Sequence, residues 1–89
     1  MATAVQTHSE EIANLFNEVF QEFMRAGQMH KQFNSAHQGY AVILEELDEL
    51  WTEVKLKKEQ RTPLIMRREA VQVAAMAVRF IYDLGLTDH

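Results

Sequence analysis

The stretch "EELDELWTEV", residues 45–54, holds five carboxylates in ten residues: Glu45, Glu46, Asp48, Glu49 and Glu53. Its apolar residues, Leu47, Leu50, Trp51 and Val54, have the spacing of a helix stripe that faces a core. Glu45/Glu49, Glu46/Glu49 and Glu49/Glu53 are helix neighbours, and like charges so placed cost roughly 0.2–0.5 kcal/mol per pair. A chain that keeps this much negative charge beside its own core needs a source of compensation.

Outward from this stretch the apolar period continues. Tyr40, Ile43, Leu44 and Leu47 precede it at helical spacing, and Ser35 with Gln38 forms a capping box at the start. Lys55, Lys57 and Lys58 suit the negative end of a helix dipole, so the spacing predicts a second helix over about 36–60. Upstream, Thr7 and Glu10 have capping-box spacing. Ile12, Leu15, Phe16, Val19, Phe20 and Phe23 follow until Gly27, predicting a first helix over about 8–26. Downstream, Thr62-Pro63 is an N-cap followed by proline at the first helical position, and Gly85 is a stop. The third helix then covers about 63–84. No segment alternates at period two, so the expected fold is all-α: an antiparallel bundle of three main helices in one domain, 1–89.

Eighty-nine residues bury only about 60–65% of the surface an unfolded chain exposes, yet 47% of them are apolar. Between Ala70 and Tyr82 the third helix is apolar nearly all round, which calls for burial on several sides. Oligomerisation is therefore expected to complete the bundle. The four phenylalanines Phe16, Phe20, Phe23 and Phe33 read as core, as do Trp51 and Met76. Gly39, costly inside a helix, marks a close approach of another helix or a ligand.

The net charge is −4 and there is no cysteine. Nucleic acid is not an expected partner, and neither a disulfide framework nor a thiolate zinc site is available. The longest apolar run, "VAAMAV" at 73–78, is far short of the ~20 residues that span a bilayer, and no basic-then-apolar leader opens the chain. A cytoplasmic chain without membrane contact is the expectation.

At 100° per residue, Glu46, Glu49 and Glu53 share one flank of the second helix. Glu69, Gln72, Met76, Arg79 and Asp83 recur along one line of the third. A short connection makes the two helices antiparallel neighbours, and counting from the turn sets Glu53 level with about Ala70 and Glu49 with about Ala74. The acidic flank can then face Glu69 and Gln72. Converging carboxylate oxygens form a hard-cation site for Mg²⁺ or Mn²⁺, whereas the bland alternative is a solvated acidic face.

These residues carry a family resemblance. "EELDE" (45–49) resembles the EExxE motif of MazG-like all-α nucleoside triphosphate pyrophosphohydrolases, and "EAVQ" (69–72) stands where they carry ExxD. The resemblance covers roughly residues 36–84. It implies hydrolysis of (deoxy)nucleoside triphosphates to monophosphate and pyrophosphate, in nucleotide-pool housekeeping, by homodimers or homotetramers that hold Mg²⁺. By position it makes Glu46, Glu49 and Glu69 metal ligands, with Gln72 in the fourth place, where the chain departs from the family by lacking a charge. Such chemistry also needs a base to activate water, and Glu53 and Glu45 are the spare carboxylates, Glu53 being better placed on the acidic flank. Two alternatives remain beside this reading: a non-catalytic helical oligomer or adaptor with a degenerate site, and an enzyme like phosphoribosyl-ATP pyrophosphohydrolase.

Other residues have two readings. Arg79 and Asp83 are spaced for an i,i+4 ion pair, the alternative being that Arg79 reaches a phosphate or the base. Lys57, four residues after Glu53, is suited to a surface salt bridge or to phosphate. Loop residues Asn34 and His37, in "NSAHQGY", are candidates to grip a nucleobase or ribose. His30 and His37 lack the i,i+4 spacing that would support a two-histidine metal site.

Overall fold

The computed structural model describes residues 4–29 and 31–86. Three helices carry the chain: α1 (Ala4–Met29), α2 (Ala36–Val54) and α3 (Pro63–Asp83), with a 3-10 turn at Lys58–Gln60 between the last two. Among the described residues there is no strand, and no helix is long and apolar enough to cross a membrane.

Local chemistry sets most of the ends. Ser35 is extended, and its hydroxyl accepts from Gln38 N at 3.1 Å, satisfying an orphan donor of α2. Gln38 Oε1 accepts in return from Asn34 N, one residue further back than the reciprocal box requires. α3 begins with Pro63, although the Thr62 hydroxyl makes no capping bond. It ends in a Schellman motif: Leu86 N donates to Ile81 O at 3.0 Å and Gly85 N to Tyr82 O at 3.2 Å. Gly85 has φ +65, a conformation that costs a residue with a Cβ more than glycine.

Two helices differ from their expected spans. α1 already includes Thr7, which is therefore no N-cap, and it passes through Gly27 to Met29. α2 stops at Val54 rather than near 60. Lys57 turns extended (φ −61, ψ 147), and Arg61 Nε donates to Val54 O at 2.9 Å, which satisfies an end carbonyl of α2. Past Val54 only Leu56 is apolar, and it lies off the α2 stripe, so no packing rewards a further turn. The early stop changes the register. With α2 shorter by about six residues, Glu49 lies beside Glu69 rather than near Ala74, and Glu46 reaches Gln72.

α3 is the shared partner: α2 packs antiparallel along one side and α1 along another, while α1 and α2 make no close backbone approach. The Arg67–Glu18 ion pair (2.7 Å) and the contact of Arg79 Nη1 with Ala26 O (3.5 Å) mark the shared direction of α1 and α3. The buried apolar residues are Ala26, Phe33, Ala75 and Met76, flanked by Val19, Phe23, Val42, Ile43, Phe80 and Leu84. At Gly39 a Cβ would lie 2.6 Å from Phe80 Cδ2 and 3.0 Å from Phe33 Cδ2, so glycine here permits a close helix approach.

The core expectation needs correcting. Phe33 is buried and Phe23 packs edge-on against Tyr82 at 5.7 Å, but Phe16 is 71% exposed, Phe20 53% and Trp51 58%. Phe16 lies on the part of α1 that precedes its packing against α3, and Phe20 and Trp51 face away from α3. Val78, Ile81 and Tyr82 leave a further side of α3 open in the single chain. The radius of gyration is 15.4 Å, against about 12 Å for a compact domain of this length.

Candidate metal centre and adjoining pocket

Glu46 and Glu49 leave the same flank of α2 one turn apart, and Glu69 leaves the second turn of α3 to meet them. One carboxylate oxygen from each lies within 4.8 Å of the other two. Oxygens bound to one Mg²⁺ at about 2.1 Å are roughly 3–4 Å apart, so a modest contraction of the cluster would suit a hard cation.

The electrostatics reflect the crowding. The Glu46 carboxyl is pushed up to about 7 by burial, by the charge of Glu49 and its hydrogen bond, and by Glu69 and Glu22. Glu69 is also raised, by burial first and then by Glu49 and Glu53. Burial and crowding thus favour the protonated form of Glu46 well above the pH at which an isolated carboxylate loses its proton.

Gln72 joins the same group. With its amide nitrogen turned toward the carboxylates, it donates to Glu46 Oε2 and Glu69 Oε2, 3.1 Å each. To serve as a metal ligand it would have to present its oxygen instead. Glu53 is half-buried one turn beyond Glu49, close enough for its charge to act on Glu69. Glu45 is exposed and lines the pocket described next. The two spare carboxylates thus stand on different sides of the cluster.

A cavity of about 360 Å³ opens beside Glu46 and Gln72. Its apolar wall is Phe33, Val42 and Met76, and its cations are Arg25, Lys31 and Arg79. Sequence reasoning missed the contributions of α1 and its exit. Glu22 and Arg25 are linked by a forked pair at 2.9 and 2.5 Å, which lowers the Glu22 carboxyl through the hydrogen bond. Glu22 falls at the edge of the face bearing Val19, Phe23 and Ala26, and a charged residue there was the legible signal. Lys31 lies outside any periodic element and gave none.

The remaining candidates are spread out. Asn34 and His37 are exposed beside the α2 cap and do not line the cavity; Lys57 is at the far turn, preceding the 3-10 segment. Arg79 is only 3% exposed. Its guanidinium is committed to Asp83 (3.0 Å), Lys31 O (2.9 Å) and Ala26 O, although the side chain also borders the cavity. The i,i+4 ion pair is thus present. His30 lies outside the described residues.

Comparison of the chain with protein-family models, curated proteins and solved structures returned no match in any of the three.

Proposed function

We propose that the chain is a Mg²⁺-dependent nucleoside triphosphate pyrophosphohydrolase of the MazG-like kind, working in the cytoplasm as a homodimer or homotetramer. The observation that carries this reading is the convergence of Glu46, Glu49 and Glu69 from two helices at the edge of a 360 Å³ cavity. Their crowding raises the cost of the metal-free state, so a divalent cation offsets charge that the fold otherwise has to protonate. When bound, Mg²⁺ supplies positive charge to the phosphate oxygens.

The chain's own residues would supply the rest. Glu53, beside Glu69, takes a proton from the attacking water, with Glu45 as the alternative from the cavity side. The water oxygen bonds to the α-phosphorus as the bond to the bridging oxygen breaks, and pyrophosphate leaves. Arg25 and Lys31 face the cavity with charge suited to phosphate oxygens.

Self-association draws support from the surface. Tyr40, Leu44, Leu47 and Trp51 form an exposed stripe at i, i+4, i+7, i+11 on α2, and α1 exposes Ile12, Leu15 and Phe16 where α3 gives it no partner. Each stripe is an apolar helix face left uncovered in the single chain, of the kind that marks a protein–protein contact. A second copy of the chain is the occupant we assign.

One observation favours the adaptor reading: with its amide nitrogen turned toward the carboxylates, Gln72 bridges Glu46 and Glu69 as a donor, a role that needs no metal. Product analysis separates the two. Ribo- and deoxynucleoside triphosphates and phosphoribosyl-ATP, incubated with and without Mg²⁺ or Mn²⁺, should release pyrophosphate and the matching monophosphate. No turnover of any of them would leave the adaptor reading standing.

A further inference from the structure

Asp83 and Arg79 are buried, at 5% and 3% side-chain exposure, near the end of α3. A single oxygen, Asp83 Oδ2, accepts from both Phe33 N (3.1 Å) and Arg79 Nη2 (3.0 Å). Arg79 Nη2 also donates to Lys31 O at 2.9 Å, and Nη1 to Ala26 O near the carbonyl end of α1. The guanidinium carbon lies 5.0 Å from the centroid of the Phe33 ring, and that ring also fills the space left by Gly39. Two side chains of α3 thus hold the connection between α1 and α2 at Lys31 and Phe33.

Apolar residues of similar volume commonly stabilise a core as well as a buried ion pair does. What the pair provides here is placement: it binds the backbone of the connection at Lys31 O and Phe33 N and the end of α1 at Ala26 O, and that connection carries Lys31 and Phe33, which line the cavity. The metal cluster borders the same cavity but is held by other contacts, since Glu69 and Gln72 precede Arg79 by two to three turns of α3 and face α2 instead.

We infer that Arg79 and Asp83 are a pair of positioning residues that hold Lys31 and Phe33 in place as the lip of the nucleotide pocket. The inference rests on the pyrophosphohydrolase reading for the identity of the ligand. The pair acts through the connection, so it governs nucleotide affinity and leaves the affinity for Mg²⁺ alone unchanged.

Asp83→Asn keeps an oxygen able to accept both bonds, whereas Asp83→Ala removes it. Arg79→Lys keeps the charge but cannot span three acceptors. The probes are Mg²⁺ alone and the tightest-binding member of a panel of α,β-methylene nucleoside triphosphates, titrated by calorimetry. In Asp83→Ala and Arg79→Lys, nucleotide affinity should fall by about tenfold or more while Mg²⁺ affinity changes by less than about twofold. Asp83→Asn, which keeps the acceptor but not the charge that balances Arg79, should retain Mg²⁺ affinity and lose less nucleotide affinity than Asp83→Ala. Hydrogen exchange at the Phe33 amide, which needs no ligand, should accelerate in Asp83→Ala and stay slow in Asp83→Asn.

Unchanged nucleotide affinity in Asp83→Ala, with wild-type binding intact, would overturn the inference and leave the pyrophosphohydrolase reading untouched. So would parallel loss of nucleotide and Mg²⁺ affinity in Asp83→Asn, the milder variant, because that reports a general structural role. A wild-type chain that binds Mg²⁺ but no member of the panel sinks the pyrophosphohydrolase reading and the pocket role together.

Discussion

With its amide nitrogen turned toward the carboxylates, Gln72 on α3 donates to Glu46 Oε2 on α2 at 3.1 Å, and equally to Glu69 Oε2. A neutral donor between two carboxylates relieves in the metal-free chain some of the repulsion that a cation would otherwise relieve. In that orientation the residue that brings no charge to the cluster also offsets part of its repulsion.

Gln72→Asp should have opposite effects in the two states. Without metal it replaces a donor by a further carboxylate in a cluster where Glu46 is already pushed up to about 7, so the melting temperature should fall. With Mg²⁺ it adds a charged ligand and should tighten binding in calorimetry. A substitution neutral in both states would make Gln72 a bystander and Glu53 the fourth candidate ligand.

The raised Glu46 carboxyl fixes the sign of a pH effect. The unfolded chain loses this proton near 4.3 and the folded chain near 7, so between these values the folded state binds more protons. Its contribution to stability is full below about 4.3, declines as pH rises through 7, and is then gone. Glu46→Gln should flatten that decline in denaturant titrations across pH 4.5–8. Mg²⁺ binding near pH 6.5 should release protons, read as a binding heat that varies with the ionisation enthalpy of the buffer.

Gly39→Ala tests the close approach in α2. Helix propensity alone would reward alanine by about 1 kcal/mol. The added Cβ would lie 2.6 Å from Phe80 and 3.0 Å from Phe33, and overpacking of this kind costs about 1–3 kcal/mol. The expected net result is loss of stability in urea unfolding. A gain would mean that the two rings move aside easily.

The exposed α2 stripe predicts association. Light scattering on a sizing column should report a dimer or tetramer, and Leu47→Glu with Trp51→Glu should shift it toward the 10.4 kDa monomer. A wild-type chain that elutes as a well-behaved monomer would remove the second copy from the functional reading.

Carboxylate substitutions should separate site from scaffold. Glu49→Ala and Glu69→Ala should each abolish turnover, while removal of a like charge leaves the metal-free melting temperature equal or higher. Collapse of the fold in both variants would assign these residues to structure.

The sequence by itself determined what depends on neighbours along the chain. Ser35 caps α2, Pro63 opens α3 and Gly85 closes it, because each acts on backbone groups within a few residues. Helical periodicity also placed Glu46, Glu49 and Glu53 on one flank, and Glu69 and Gln72 on one line of the next helix.

Only the tertiary structure decided the register and the walls of the pocket. α2 ends at Val54, with Arg61 bonded to the Val54 carbonyl, and this brings Glu49 beside Glu69. The lysine-rich run after Val54 fits a helix end and a solvated turn alike, so its propensity could not choose between them. Glu22, Arg25 and Lys31 reach the site because α1 packs on α3 in the same direction, a contact across about fifty residues with no local signature. Phe16, Phe20 and Trp51 were legible as apolar stripe residues, but periodicity says only that a face is apolar. Which surface covers it is set by where α3 runs and where it ends.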